Sequence, residues 1–418
     1  MPKKILIFSL AYYPNFVSGA EAAIKEITDR INPDDIEFHM VTLRFDSSLP
    51  RTEKIGNVIV HRIGWGNAAT AKEASSPLFY LSKILFVPMS ALKAISLHRK
   101  NHFDALWAMM TYMLFPVVFA RFLGMKIPHI LTLQDGDPYE KVFLRWKIRP
   151  FIPLLDHGFK TASLIQVISI FLADWPKKRG YKGSVELIYN GANPRDLKDA
   201  VSSEEVEAMK QKLNKKPGDI FLVNTSRLVH QKGFDTIIRS LPQLPPNVRF
   251  LAVGEGGDEP MLKALAEELG LKDRVIFTGR VDRSVVTLYR RAADIFVAPS
   301  RSEGLGNAFI SALASRLPLI ATQVGGMADY VFDEKHNPDK QPTAWVVEPD
   351  QPGQIAEKVK EIIANPEKAK RISEHARKIV EEKYDWDKIA REMKTKVFDP
   401  TTSKSIYSQS RATLLNKR

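Results

Sequence analysis

Short apolar runs recur along the chain, each followed by a longer stretch with helical spacing of its apolar residues. In the first half the runs are "KILIFSL", "FHMVTL", "DALWAM", "HILTLQ" and "SLIQVIS". In the second half they are "DIFLVNTSRL", "RFLAVGEG", "RVIFTGRV", "ADIFVAPS" and "LPLIATQVGG". Such runs are apolar without strict alternation, as strands covered on both faces are. The strand–helix–strand rhythm predicts βαβ units and a parallel sheet in each half. Between the halves, "NGANPRD" supplies a turn, and "SSEEVEAMKQKLNKKPGD" reads as a polar helix that stops at Lys-Pro-Gly. An α/β protein of two doubly wound domains facing one another is expected, divided as 1–195 and 196–384.

Length and composition agree with that division. A chain of 418 residues exceeds one ordinary core, and 44% apolar with 26% charged residues is the balance of a soluble globular protein. No run approaches the ~18 to 20 uninterrupted apolar residues of a membrane span. The opening "MPKKILIFSL" enters a strand without the features of a signal peptide. Absence of cysteine excludes disulfides, thiolate metal sites and thiol nucleophiles. A cytoplasmic location is expected.

The net charge of +13 is unevenly spread. Residues 401–418, Ser/Thr-rich and expected to be a flexible tail, hold Lys404, Arg411, Lys417 and Arg418 and no acid. Residues 139–182 hold nine Lys or Arg against Glu140, Asp156 and Asp174. That excess attracts anionic lipid, nucleic acid or phosphorylated substrates. Zinc-finger, ribonucleoprotein and zipper signatures are absent, so no nucleic-acid partner is expected. The segment "SPLFYLSKILFVPMSALKAISLHRKNHF" (76–103) reads either as a crossover packed on the sheet and interrupted by Pro88, or as a basic amphipathic membrane-docking surface. Peripheral contact with an anionic membrane, on the inner face of the plasma membrane, is one expectation.

Ligands of open α/β sheets sit beyond the carboxyl ends of the strands, which selects the loops to read. In "SRLVHQKGF", Arg227 and Lys232 stand five residues apart ahead of Gly233. Two cations with free backbone amides suit a diphosphate, although such a pair can equally be solvated surface charge. In "SRSEGLGNAFISALA", Gly304 and Gly306 let the backbone approach a ligand, and the following helix offers its amino-terminal amides to an anion. Glu303 would repel phosphate, but it suits the hydroxyls of a sugar attached to the phosphates.

In this order and spacing, "SRLVHQKGF", "VGEGG", "FTGRV" and "PSRSEGLGNAFISALASRLPLIATQVGG" resemble the C-terminal half of glycosyltransferase family 4, retaining enzymes of the GT-B fold. "YYPNFVSGAE" resembles the Gly-rich acceptor-side loop of that family, "IYNGAN" its inter-domain turn, and "YDWDKIAREM" its closing helix. The resemblance implies an acceptor-binding domain (1–195), a donor-binding domain (196–384) and a helix (385–400) that packs back on the first. It also implies roles: Arg227 and Lys232 hold the diphosphate, Glu303 binds the sugar, and the amides from Leu305 through Gly306 and Asn307 to Ala308 cap the phosphates. Backbone at Arg280 and Val281 meets the nucleobase, and Gly19 lies where backbone nears the phosphates. Neither metal nor cofactor is implied. The leaving phosphate can itself take the acceptor's proton.

The implied reaction moves a hexose-type sugar from a UDP- or GDP-linked donor to a glycan, lipid-linked or other cell-envelope acceptor. One position departs from the pattern: a second glutamate falls eight residues after the first in the family, and Ser311 stands there. A serine reaches the ribose only through a water. Donor binding could be weakened yet sufficient, ribose could be held elsewhere, or the chain could bind sugar nucleotides without turnover. Ser311→Glu is then expected to tighten nucleotide binding. A nucleotide-sugar epimerase of the same fold is a further alternative, without the Arg/Lys-plus-Glu pattern. In "TLQDGDPYE", Asp135 is a candidate to orient donor sugar or acceptor; relatives often carry histidine where Gln134 stands. "DGD" and "DWD" both match a short metal-binding pattern that carries little weight.

Overall fold

The structure, a computed structural model, describes residues 2–14, 18–66 and 77–402. The expected flexible tail therefore lies outside the described residues from 403 onward. The chain divides into two compact units, Met1–Tyr189 with Trp386–Arg418, and Asn190–Asp385.

The first unit is built on eight strands: β1 (Lys3–Phe8), β2 (Ile36–Leu43), β3 (Thr52–Ile55), β4 (Val58–Ile63), β5 (Ala105–Met109), β6 (His129–Leu133), β7 (Leu164–Val167) and β8 (Val185–Leu187). Their order is β3-β4-β2-β1-β5-β6-β7-β8, parallel except for the antiparallel pair β3–β4. The β3–β4 hairpin was not expected from the apolar pattern, because "RTEK" is polar. Its sequence signal is the two-residue turn Gly56-Asn57, with Gly56 at φ 55°. "TLQDGDPYE" follows the sixth strand; the apolar runs alone, without the hairpin, count it after the fourth.

The helices of this unit include α1 (Gly19–Thr28), α2 (Pro77–Asn101) and α3 (Leu114–Phe122). α2 runs continuously through Pro88 and packs on β1, β2 and β4. The strand order reverses between β1 and β5, so the loops after these strands and after β6 line one carboxyl edge.

The C-terminal segment belongs to this first core. Helix Trp386–Glu392 packs on α1, and Trp386, Ile389, Met393, Val397 and Phe398 join a cluster with Ile5, Ile24 and Trp107. The Phe398 ring meets Trp107 at 5.0 Å and Phe38 at 5.6 Å. Helical structure continues through Asp399–Thr402, past the expected end at 400, because Asp399 pairs with Lys3 and buried Thr401 donates to the Val397 carbonyl.

The second unit holds β9 (Ile220–Asn224), β10 (Val248–Ala252), β11 (Val275–Phe277), β12 (Ile295–Ala298), β13 (Leu319–Ala321) and β14 (Trp345–Val346), all parallel, in the order β11-β10-β9-β12-β13-β14. Its order reverses between β9 and β12. This unit begins at Asn190, ahead of the expected boundary at 195, because the turn "NGANPRD" is anchored within it. Ala192 N–H donates to the Tyr384 carbonyl at 2.9 Å, and buried Asp196 takes Arg290 and Ser315.

Candidate functional site

Adjacency of β9 and β12 brings two loops side by side in the second unit. Lys232 closes a short 3-10 turn, His230–Lys232, and Glu303 lies between β12 and the helix Asn307–Ala314. Their side chains form an ion pair, with Glu303 buried and Lys232 nearly so. The Lys232 ammonium also lies 5.7 Å from the centre of the Phe309 ring. Arg227, on the same loop, is exposed to solvent. His230 is exposed as well.

Several contacts not anticipated from the sequence hold this pair in place. Arg301 binds both oxygens of Asp235 at 2.7 and 3.0 Å, reaches Asp350 at 2.7 Å and donates to the His230 carbonyl. Its backbone N–H donates to the Gln231 carbonyl at 2.7 Å. Burial alone would raise the Asp235 carboxyl, but the Arg301 guanidinium holds it below the ordinary range. Gly233 adopts φ 66°, and a Cβ there would strike the Pro299 carbonyl. Gly325, at φ 59°, would strike the Glu303 carbonyl in the same way, while Gly326 N–H donates to that carbonyl at 3.2 Å. The signal available was the Gly-Gly pair right after strand β13, at a carboxyl end.

The helix Asn307–Ala314 starts at Gly306, φ 83°, with no side chain capping it. Gly304 and Leu305 are buried; Gly306, Asn307 and Ala308 are partly exposed. Tyr330 donates to the Leu305 carbonyl at 2.8 Å, and burial together with the Glu303 carboxylate pushes its phenol up, which keeps it a donor. An uncapped, partly exposed helix start next to a lysine has the chemistry that suits an anion, because its first amides have no intrahelical acceptors. Arg280 and Val281 lie on the loop after edge strand β11, with Arg280 exposed. "VGEGG" has a packing role here: a Cβ on Gly254 or Gly256 would strike the carbonyl of Ser226 or Leu228.

Ser311 is committed to structure. Its hydroxyl donates to the Asn307 carbonyl at 2.8 Å and accepts from Asn193 N–H at 2.9 Å, and the residue is buried. The single proton of the serine is therefore used within the helix, and the side chain ties the helix to the "NGAN" turn.

The remaining candidates belong to the first unit. Asp135, after β6, is buried and takes Thr111, after β5, through Oγ1 at 2.8 Å and the backbone N–H at 3.3 Å. Burial pushes its carboxyl up to about 6. Asp137 turns instead to Lys141 at 2.7 Å. Gly19 is the first residue of α1, and just ahead of it Ser18 N–H donates to Glu21 at 2.7 Å. Among the described residues no three His, Cys, Asp or Glu side chains gather as a metal site.

Two family models account for most of the chain: Glycosyltransferase Family 4 matches residues 17–196, and Glycosyl transferases group 1 matches residues 205–379. The chain belongs to the group 1 glycosyltransferases of family 4 type. An uncharacterized glycosyltransferase of Methanocaldococcus jannaschii is 24% identical, aligned over 93% of this chain and 96% of its own length. Sucrose-phosphate synthase from Thermosynechococcus elongatus superposes with a TM-score of 0.79 at 18% identity, covering 98% of this chain and 100% of that one. Anabaena HepE in complex with UDP and glucose superposes with a TM-score of 0.73 at 19% identity, over 95% and 100%. The fold of this group 1 glycosyltransferase is GT-B.

The placement of Ser311 sets one expected outcome. Ser311→Ala leaves the buried Asn193 N–H without its acceptor and is expected to cost about 1–3 kcal/mol in urea denaturation, while nucleotide affinity by calorimetry changes less than about twofold. A large loss of affinity at unchanged stability would contradict this placement of the serine.

Asp135 sets another, in its pH dependence. A carboxyl held above its ordinary value favours the folded state while protonated, so this contribution is complete below pH ~4 and is lost as pH rises through about 6. Asp135→Asn is expected to raise stability above pH 7, by at most about 3 kcal/mol, and the difference should vanish towards pH 4. A pH-independent difference would assign the effect to packing instead.

Proposed function

We propose that this glycosyltransferase moves a hexose-type sugar from a UDP- or GDP-linked donor to a glycan, lipid-linked or other cell-envelope acceptor. Transfer retains the anomeric configuration and uses neither metal nor cofactor. The observation that carries the reading is the Lys232–Glu303 pair at the uncapped start of helix Asn307–Ala314. A cation, a set of unpaired amides and one carboxylate form the complement of a diphosphate joined to a polyol. HepE, of the same fold, was solved with UDP and with glucose, which fits a donor of this class.

In this reading Lys232 turns from Glu303 to the diphosphate and stabilises the charge that grows on it as the glycosidic bond breaks. Arg227 joins it from solvent, and the helix dipole supplies further positive potential, so that a divalent ion has no necessary part. Glu303, released from Lys232, accepts hydrogen bonds from the sugar hydroxyls. The departing phosphate oxygen takes the acceptor's proton on the same face, which gives retention. Asp135, raised by burial, orients an acceptor hydroxyl. The protein acts on the cytoplasmic side of the membrane.

A second reading is favoured by one observation: Ser311 is spent on Asn193 and Asn307, and the ribose then lacks the family's acidic partner. The chain would in that case bind sugar nucleotides weakly or without turnover.

Thermal-shift titrations with UDP, GDP and ADP test the donor site that both readings share, and release of free nucleotide from the sugar nucleotide in the presence of acceptor separates them. Ligand at about a hundred times its dissociation constant stabilises by about 2.7 kcal/mol, and a clear rise with UDP or GDP, lost in Lys232→Ala, is expected. No rise with any of the three at millimolar concentration would remove the donor-site reading.

A further inference from the structure

The outer layer of the first unit carries chemistry that glycosyl transfer from a soluble donor leaves unused. From Phe79 to Asn101, α2 is long and apolar enough to cross a bilayer, yet only a third of its apolar window is buried. One side packs on the sheet and on α3, which makes the helix part of the domain. The other side leaves Tyr80 60% and Ile84 69% exposed, with Leu92 beyond them. A helix apolar on both sides needs cover on both.

The same surface chemistry continues on the neighbouring elements. α3 exposes Phe119 and Phe122, and it packs on helix Ile152–Lys160, which follows the turn Arg149–Phe151. Phe151 is half exposed there, and Trp146 is 77% exposed. Ten of the fifteen exposed large apolar side chains among the described residues fall between positions 80 and 151. Cations are interleaved with them: Lys83 lies over the Phe79 and Tyr80 rings and Lys147 over that of Trp146, with Arg145 and Arg149 alongside. The acids nearby are largely engaged, Asp137 by Lys141 and Asp156 by Arg179.

We infer that this face, formed by the outer side of α2, by α3 and by residues 144–151, docks on an anionic lipid bilayer. Aromatic and aliphatic side chains enter the boundary between headgroups and acyl chains, and the lysines and arginines meet anionic headgroups. Charge argues for lipid over a second copy of the chain: a two-fold interface would set each basic cluster against itself or its neighbour in the twin. It argues equally for anionic over neutral lipid.

The face also leads to Asp135. Phe151 meets Phe115 at 6.1 Å, Phe115 stacks on Tyr112 at 6.1 Å, and Tyr112, next to Thr111, donates to the Val142 carbonyl. An acceptor anchored in the bilayer would thus present its headgroup near Thr111 and Asp135 without leaving the membrane. This part, a lipid-anchored acceptor, rests on the glycosyl-transfer reading; the docking face does not.

The test is co-sedimentation of the full chain with phosphatidylcholine vesicles and with vesicles that also contain phosphatidylglycerol. Binding to the anionic vesicles only, weakened at about 0.5 M salt, is expected. The double variant Ile84→Ser/Trp146→Ser should bind at least about tenfold more weakly, with its melting temperature and nucleotide shift kept. Lys147→Glu/Arg149→Glu, on exposed positions, should do the same if the pair variant is unstable. Equal binding to neutral vesicles, or no binding by protein that still responds to nucleotide, overturns the inference. So does a dimer in solution that the Ile84→Ser/Trp146→Ser variant converts to monomer. Lipid binding with no nucleotide response would instead leave the face standing and remove the donor-site reading.

Discussion

Arg301 is the contact on which the second unit's site depends. Its guanidinium spans the loop after β9 and the loop after β12, holding Asp235, Asp350 and the His230 carbonyl at once. Charge-assisted hydrogen bonds of this kind are worth about 1.5–3 kcal/mol each, and in a paired arrangement they fix direction as well as distance. Lysine could supply the charge but not the planar fork. With the loops tied, Lys232 and Glu303 meet, and both stand at the start of the helix Asn307–Ala314. The two glycines with left-handed backbone, Gly233 and Gly325, remove the side chains that would otherwise prop the loops apart.

Serine at 311 is spent inside the structure. The hydroxyl bridges Asn307 and Asn193, so the side chain serves the join between helix and turn. Arg377 reaches the carbonyls of Ala314, Asp196 and Leu197 from another helix, and Arg290 with Ser315 satisfies the buried Asp196 carboxylate. This end of the unit is a bonded polar network, and a buried network of that kind is rigid because each member would be costly to leave unpaired. The expectation that a glutamate at 311 would improve nucleotide binding has to be set against the acceptor that Asn193 would lose.

Much of the fold and part of the site are legible in the amino-acid sequence. The buried strands stand out as apolar runs, and the rule that ligands gather at strand carboxyl ends leads to Lys232 and Glu303. Their direct pairing is hidden, since it depends on the strand order that makes β9 and β12 neighbours. Arg301 stands inside a stretch whose glycines and acid draw attention, but its partners at 235 and 350 are distant in sequence and no local pattern joins them. The β3–β4 hairpin is written in its Gly-Asn turn and masked by polar flanks. Of 76–103, the packing on the sheet is legible, whereas the break expected at Pro88 is absent because α2 carries on through it as one helix, exposing apolar residues on its far side.

In the proposed donor site, Lys232 and Glu303 pair with each other only until a donor separates them. Calorimetry of Glu303→Gln with UDP and GDP lacking any sugar isolates this step, because the glutamine frees the lysine and removes a negative charge from the anion site. Tighter binding of the bare diphosphate, by about tenfold, is expected together with loss of sugar transfer. Weaker or unchanged binding of the bare diphosphate would contradict that pairing.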